Sequence, residues 1–273
     1  MQIRIGYSLT YEFAQPTPII AVVNVHYSRA SDLVRPDTMV TVPSMPYTSY
    51  RDSFGNWCNR ILAPAGRFEL RADAVVNDSS ALDNVNPAAG QTPVEELPEE
   101  ALLYLLPSRY CESDRLIETA WRLFGSTTPG WDRVQAISRW VHGHVTFGYE
   151  WACPTKSAWE VMEEGRGVCR DFAHLCIALC RAVNVPARYC TGYLGDIGVA
   201  PSAAPMDFAG WSEVFLGGRW YVVDPRNLVP RVGRVLIARG RDAADVAITT
   251  TFGPNDLRDF RVWADEVDTT SNA

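Results

Sequence analysis

Apolar and polar residues alternate along Arg4-Ile5-Gly6-Tyr7-Ser8-Leu9-Thr10-Tyr11, a period of two that predicts a half-buried strand. Ile19 to Tyr27 is β-branched and apolar. Thr38 to Val42, Trp57 to Leu62 and Phe68 to Val76 follow, separated by Pro, Gly, Asn and Asp, so each reads as a further strand. Asp52-Ser53-Phe54-Gly55-Asn56 carries the residues of a hairpin turn. The N-terminal stretch therefore predicts a small antiparallel sheet or sandwich. Asn84 to Pro98 holds three prolines and few large apolar residues, and reads as a linker.

Beyond Pro98 the spacing lengthens to that of helices. Glu99 to Leu106 ends at Pro107, Asp114 to Phe124 stops at Gly125, and Trp131 to Val141 places Val134, Ile137 and Val141 on one stripe. Ser157-Ala158-Trp159-Glu160 is a capping-box pattern, and the helix it opens ends at Gly165. A longer helix runs from Cys169 to about Asn184. After it the period returns to two. Ala187 to Leu194 is a strand, and Trp211 to Leu216 and Arg219 to Asp224 flank Gly217-Gly218, a strong hairpin signal. Val232 to Ala238, Val246 to Thr251 and Phe260 to Trp263 add strand patterns. Helices followed by a sheet give an α+β fold. Its expected division is a β-rich domain over residues 1–85, a linker over 86–100 and a core over 101–273 that includes the C-terminal strands.

Composition narrows the chemistry. Hydrophobic residues are 47% and charged residues 21%, ordinary for a folded domain, and the net charge of −7 disfavours nucleic-acid binding. No apolar run reaches the roughly 18 residues of a membrane span, and the N-terminus alternates instead of carrying a signal segment, so a cytoplasmic location is expected. Seven cysteines is an odd number, and the expectation is reduced, mostly buried thiols. No cysteine pair has metal-ligand spacing with a histidine, and Gly165-Arg166-Gly167 lacks the spacing of a phosphate loop. No metal and no cofactor are expected.

Cys169 is the exception among the thiols. It stands where a glycine-rich turn enters a helix, and unpaired N–H groups there favour a thiolate and can stabilise an oxyanion. Cys176 and Cys180 share its helix face and read as packing residues. Asp171 and His174 lie three residues apart, which predicts a structural contact between them. If Gly217-Gly218 is a two-residue turn, Leu216 pairs with Arg219, Trp211 with Asp224, and Ala209 lies opposite Arg226. A long side chain at 209 would then reach Asp224 along a diagonal of about 7 Å. A histidine at 209 would complete a nucleophile, base and orienter arrangement, and the chain has a methyl group there. Asp224 also reads as a turn cap with Arg226 as its charge partner.

At these residues the chain resembles the bacterial transglutaminase-like family, a branch of the papain-like cysteine enzymes. Gly167-Val168-Cys169-Arg170-Asp171-Phe172-Ala173-His174-Leu175 is similar to its nucleophile motif. Trp211-Ser212-Glu213-Val214-Phe215 with Gly217-Gly218-Arg219-Trp220 is similar to the segment after its His-Ala-Trp, and Asp224-Pro225-Arg226-Asn227 to the motif of its aspartate. The resemblance covers Leu102 to Asn227 and implies a papain-like, transglutaminase-like core preceded by a small β-rich domain. It implies Cys169 as nucleophile, Asp224 as orienting acid, and the histidine at the position of Ala209; Gly210 also departs, from the alanine. Substitutes for the missing base are His144, His142 and Asp207, and the expected cleft-lining residues are Trp211, Tyr149 and Trp151.

Two functions follow as expectations. One is hydrolysis or acyl transfer at peptide or isopeptide amide bonds through a Cys169 thioester, on a peptide or protein substrate and with a weakened triad. The other is an inactive module of the same fold that binds a peptide or partner protein.

Overall fold

The computed structural model describes residues 1–202 and 205–267. Its first strands are β1 (Gln2–Phe13), β2 (Thr17–Ala21), β3 (Leu33–Arg35), β4 (Val40–Val42), β5 (Tyr47–Arg51), β6 (Trp57–Ala63) and β7 (Gly66–Asn77). In β1 the apolar positions of the alternation form one buried face. Ile3, Ile5, Tyr7, Leu9, Tyr11 and Phe13 are all buried, and antiparallel pairing sets Ile5 against Ala74 and Leu9 against Leu70 of β7 on the same face. The Asp52–Asn56 turn forms as its residues require. Asp52 accepts backbone N–H bonds from Phe54 and Asn56, each at 2.9 Å.

The helical part contains α1 (Glu99–Leu102), α2 (Ile117–Phe124), α3 (Trp131–His144), the short strand β8 (Thr146–Phe147), α4 (Ala158–Glu164), a second short strand β9 (Arg166–Gly167) and α5 (Cys169–Ala182). The capping box of α4 is present: Ser157 accepts from the Glu160 N–H, the Glu160 carboxylate accepts from the Ser157 N–H at 2.8 Å, and Gly165 closes the helix in the left-handed region. From Asp171 to Ala182 every residue of α5 is buried, because α5 is enclosed by α2, α3 and α4 and by a sheet. That sheet has the order β12 (Arg219–Val223), β11 (Ala209–Leu216), β10 (Ala187–Tyr193) and β13 (Val235–Gly240). Helices on one antiparallel sheet, joined to a β-rich unit, make the fold α+β.

The chain then returns to its beginning. β14 (Thr249–Thr251) pairs with β2, and β15 (Asn255–Glu266) pairs with β1 from Ile3↔Glu266 to Phe13↔Asn255. The last strands thus complete the N-terminal sheets, where the sequence pattern had left them with the core. Alternation identifies a strand but carries no information about its partner. Among the described residues no helix is long and apolar enough to cross a membrane.

Candidate active site

Cys169 is the first residue of α5, and three local features hold it there. Asp171 accepts a 2.9 Å hydrogen bond from the Val168 N–H, capping the helix in the manner of a glutamate at its third position. Gly167 is required because a methyl group there would lie 2.6 Å from Asp171 Cβ. Parallel pairing of β9 with β8 ties the approach to the Phe147 strand end, with Gly148 N–H donating to Gly167 O at 3.1 Å. The turn Tyr149–Trp151 is thereby set beside the helix start.

Cys169 is half-buried. Its thiol is nevertheless pushed up from the ordinary range. Burial is the main cause and the negative charge of Asp207 adds to it, opposed by the amides of Gly210 and Arg170 and by the Arg226 guanidinium. The sequence position predicts a thiolate; loss of hydration outweighs the helix end here, so the resting group is a thiol. Tyr149 senses both Asp207 and Cys169, its hydroxyl raised first by burial and then by these two groups. Asp207 is exposed as a residue, but neighbouring protein crowds its carboxyl and raises it, offset in part by the Phe208 N–H at 2.6 Å. Open water around the side chain tempers that rise. Arg226 lies 4.1 Å over the Phe147 ring.

Two other expected residues have partners of their own. His142 Nδ1–H donates to the Pro225 carbonyl at 2.9 Å, and His144 Nε2–H to the Met162 carbonyl at 2.8 Å while its ring stacks on Trp140. Of the three expected substitutes for the base, Asp207 is the one whose charge is felt at the sulfur. Trp211 is 2% exposed, with Arg234 5.2 Å over its ring, and it lines the larger of two cavities instead of being linked to Cys169 by any contact among the described residues. Trp151 closes the turn that begins at Tyr149 and is half-buried.

The hairpin register is as the two-glycine turn demands, with Leu216 paired to Arg219. Pairing ends at Ser212↔Val223, so Trp211 is not opposite Asp224 and Ala209 is not opposite Arg226; Ala209 pairs with Gly192 of β10 instead. The ladder stops because Asp224 opens a turn, accepting from Asn227 N at 3.1 Å and Asn227 Nδ2 at 2.8 Å. Its charge partner is Arg234 at 2.7 Å, not Arg226. Arg234 also holds Asp83 at 2.9 Å, and all three side chains are largely buried. The predicted Asp171–His174 contact does not form either. His174 accepts from the Ala243 N–H at 3.1 Å and stacks on Tyr110, and burial holds it well below its usual titration range.

Sequence reasoning missed Tyr189, Asp83 and Arg234. Tyr189 is one more residue of a strand pattern, and Asp83 is separated from Arg234 by most of the chain, so no local spacing signals either. Cavities of about 250 and 360 Å³ lie between Asp83-Asn84 and β12, and Cys169 borders neither. Among the described residues no group of His, Cys, Asp and Glu is arranged to hold a metal.

Comparison with known proteins accords with this architecture. Residues 118–225 match the family described as the transglutaminase-like superfamily. A presumptive cysteine protease of Cytophaga hutchinsonii is 31% identical, with 98% of this chain and 91% of that one aligned at a TM-score of 0.85. An uncharacterized protein of Mycobacterium leprae is 27% identical over 194 residues, 66% of this chain and 69% of that protein. An uncharacterized protein of Mycobacterium tuberculosis is 37% identical over 103 residues, spanning 31% of its own length.

Proposed function

The chain belongs to the transglutaminase-like superfamily, and on that premise we propose that it forms a thioester through Cys169 at the carbonyl of a peptide or isopeptide amide. The observation that carries this reading is the half-buried sulfur at the start of α5, faced by the amides of Gly210 and Arg170. Those amides support the reading, since N–H groups beside the sulfur can stabilise the oxyanion that develops when sulfur attacks a carbonyl. The S–H bond breaks as the C–S bond forms. Asp207 accepts the thiol proton and returns it to the departing amine as the C–N bond breaks. Water or a second amine then releases the acyl group. A carboxylate is a weaker base than imidazole, and the thiol rests protonated, so the reaction is slow and speeds up with pH.

A second reading, a noncatalytic peptide-binding module, is favoured by one contact. Arg234 gives Asp224 a structural partner, so that carboxylate has a reason to be present without catalysis.

Incubation with a p-nitrophenyl ester of a glutamine-containing dipeptide, followed by peptide-resolved mass spectrometry, separates the two. Acylation at Cys169 that is lost in Cys169→Ala and slowed about tenfold or more in Asp207→Asn is the expected result. A folded wild-type protein that carries no adduct on Cys169 at pH 9 would overturn the thioester reading.

A further inference from the structure

Gly210 and Tyr189 occupy a single space beside the sulfur. The Gly210 amide faces Cys169, and a methyl group at 210 would overlap the Tyr189 hydroxyl and lie 3.0 Å from its Cζ. An alanine at 210 and the present position of the Tyr189 ring therefore exclude one another. Tyr189 is 5% exposed, and its hydroxyl makes no side-chain hydrogen bond among the described residues. It is also held: its ring packs on His174 at 5.0 Å, and His174 is fixed by Ala243 and Tyr110.

We infer that Tyr189 is a hydrogen-bond donor to the Cys169 sulfur when it ionises, in a place that Gly210 opens. The Cys169 charge is felt at the phenol, which burial keeps protonated, so the donor persists through the range in which the thiol titrates. Asp207, Arg226 and Tyr149 face the same sulfur from other segments, and Arg170 and Asp171 flank it on α5. None of them occupies the space beside Gly210. Under the thioester reading above, the same hydroxyl would also reach the carbonyl oxygen of an acyl group on the sulfur. The donor assignment itself does not depend on acyl transfer.

Alkylation by iodoacetamide across pH 7 to 10.5 tests it, with Cys169 and Cys153 read separately by peptide mass spectrometry. In Tyr189→Phe the ring and its stacking remain, and alkylation of Cys169 at pH 8 is expected to slow about tenfold as its profile moves up. Gly210→Ala should do the same by displacing the ring. Cys153, at 3.4 Å from the Thr155 hydroxyl in an outer loop, should keep its profile in both variants. A Cys169 profile unchanged in Tyr189→Phe overturns the inference. Loss of ester acylation in wild type, with this shift intact, would overturn only the thioester reading.

Discussion

At the residue scale, the decisive balance is at Cys169 between a helix end that favours thiolate and burial that opposes it. Burial is the larger effect, so the charged form is disfavoured. The rate of Cys169 alkylation in wild type should therefore rise through a midpoint above the roughly 8.5 of a free thiol; a midpoint near 7 would mean that an unrecognised cation pairs with the sulfur. Arg234 presents the opposite case, a buried cation between two carboxylates. Arg234→Ala leaves Asp83 and Asp224 unpaired in a poorly hydrated place, and a loss of about 3 kcal/mol in unfolding free energy is expected from denaturant titration. Asp224→Asn, which keeps shape and hydrogen-bonding capacity, should lose less.

At the scale of elements, α5 is positioned by its entry turn. In Gly167→Ala the new methyl group meets Asp171, so the cap must shift. The expected outcome is a loss of about 1 to 2 kcal/mol in thermal or chemical unfolding, together with altered Cys169 alkylation. Unchanged stability would mean that the turn relaxes freely. Elements of this kind were legible in the sequence: the capping box at Ser157, the β1 alternation and the Gly217-Gly218 hairpin each follow from residues close together in the chain. The hairpin was legible only as far as its pairing runs. Extending its register to Trp211 and Asp224 failed because Asp224 caps a turn through Asn227, a competing local interaction that ends the ladder. The Cys169 helix end was legible and the state of its thiol was not, since that state also depends on the Gly210 amide of β11 and on the charge of Asp207, both distant in sequence.

At the scale of the molecule, the chain closes on itself. β15 lies along the whole of β1, and β14 covers β2, so the first and last strands stabilise one another. Truncation after Gly240 would remove both and expose a long edge with unpaired N–H and C=O groups. Loss of cooperative unfolding, or aggregation, is the expected outcome, read by circular dichroism and light scattering; a soluble truncated chain that unfolds cooperatively would contradict it. Acid should also act on the whole fold. Burial lowers His26 to about 4 and holds His174 well below its ordinary value, so both are neutral when folded and gain protons more readily when unfolded. Their contribution is present above the unfolded value of about 6.5 and is lost progressively as pH falls below it. Denaturant midpoints should drop between about pH 6.5 and 4, and the drop should be shallower in His174→Gln.

The central claim is that Cys169 is able to form a thioester, with imidazole the missing part. Ester acylation of Cys169 in Ala209→His, compared with wild type at pH 7.5, tests it most directly. An increase of about a hundredfold is expected, at the low end for general base catalysis because Asp224 is engaged by Arg234. A folded Ala209→His protein that acylates Cys169 no faster than wild type would contradict it.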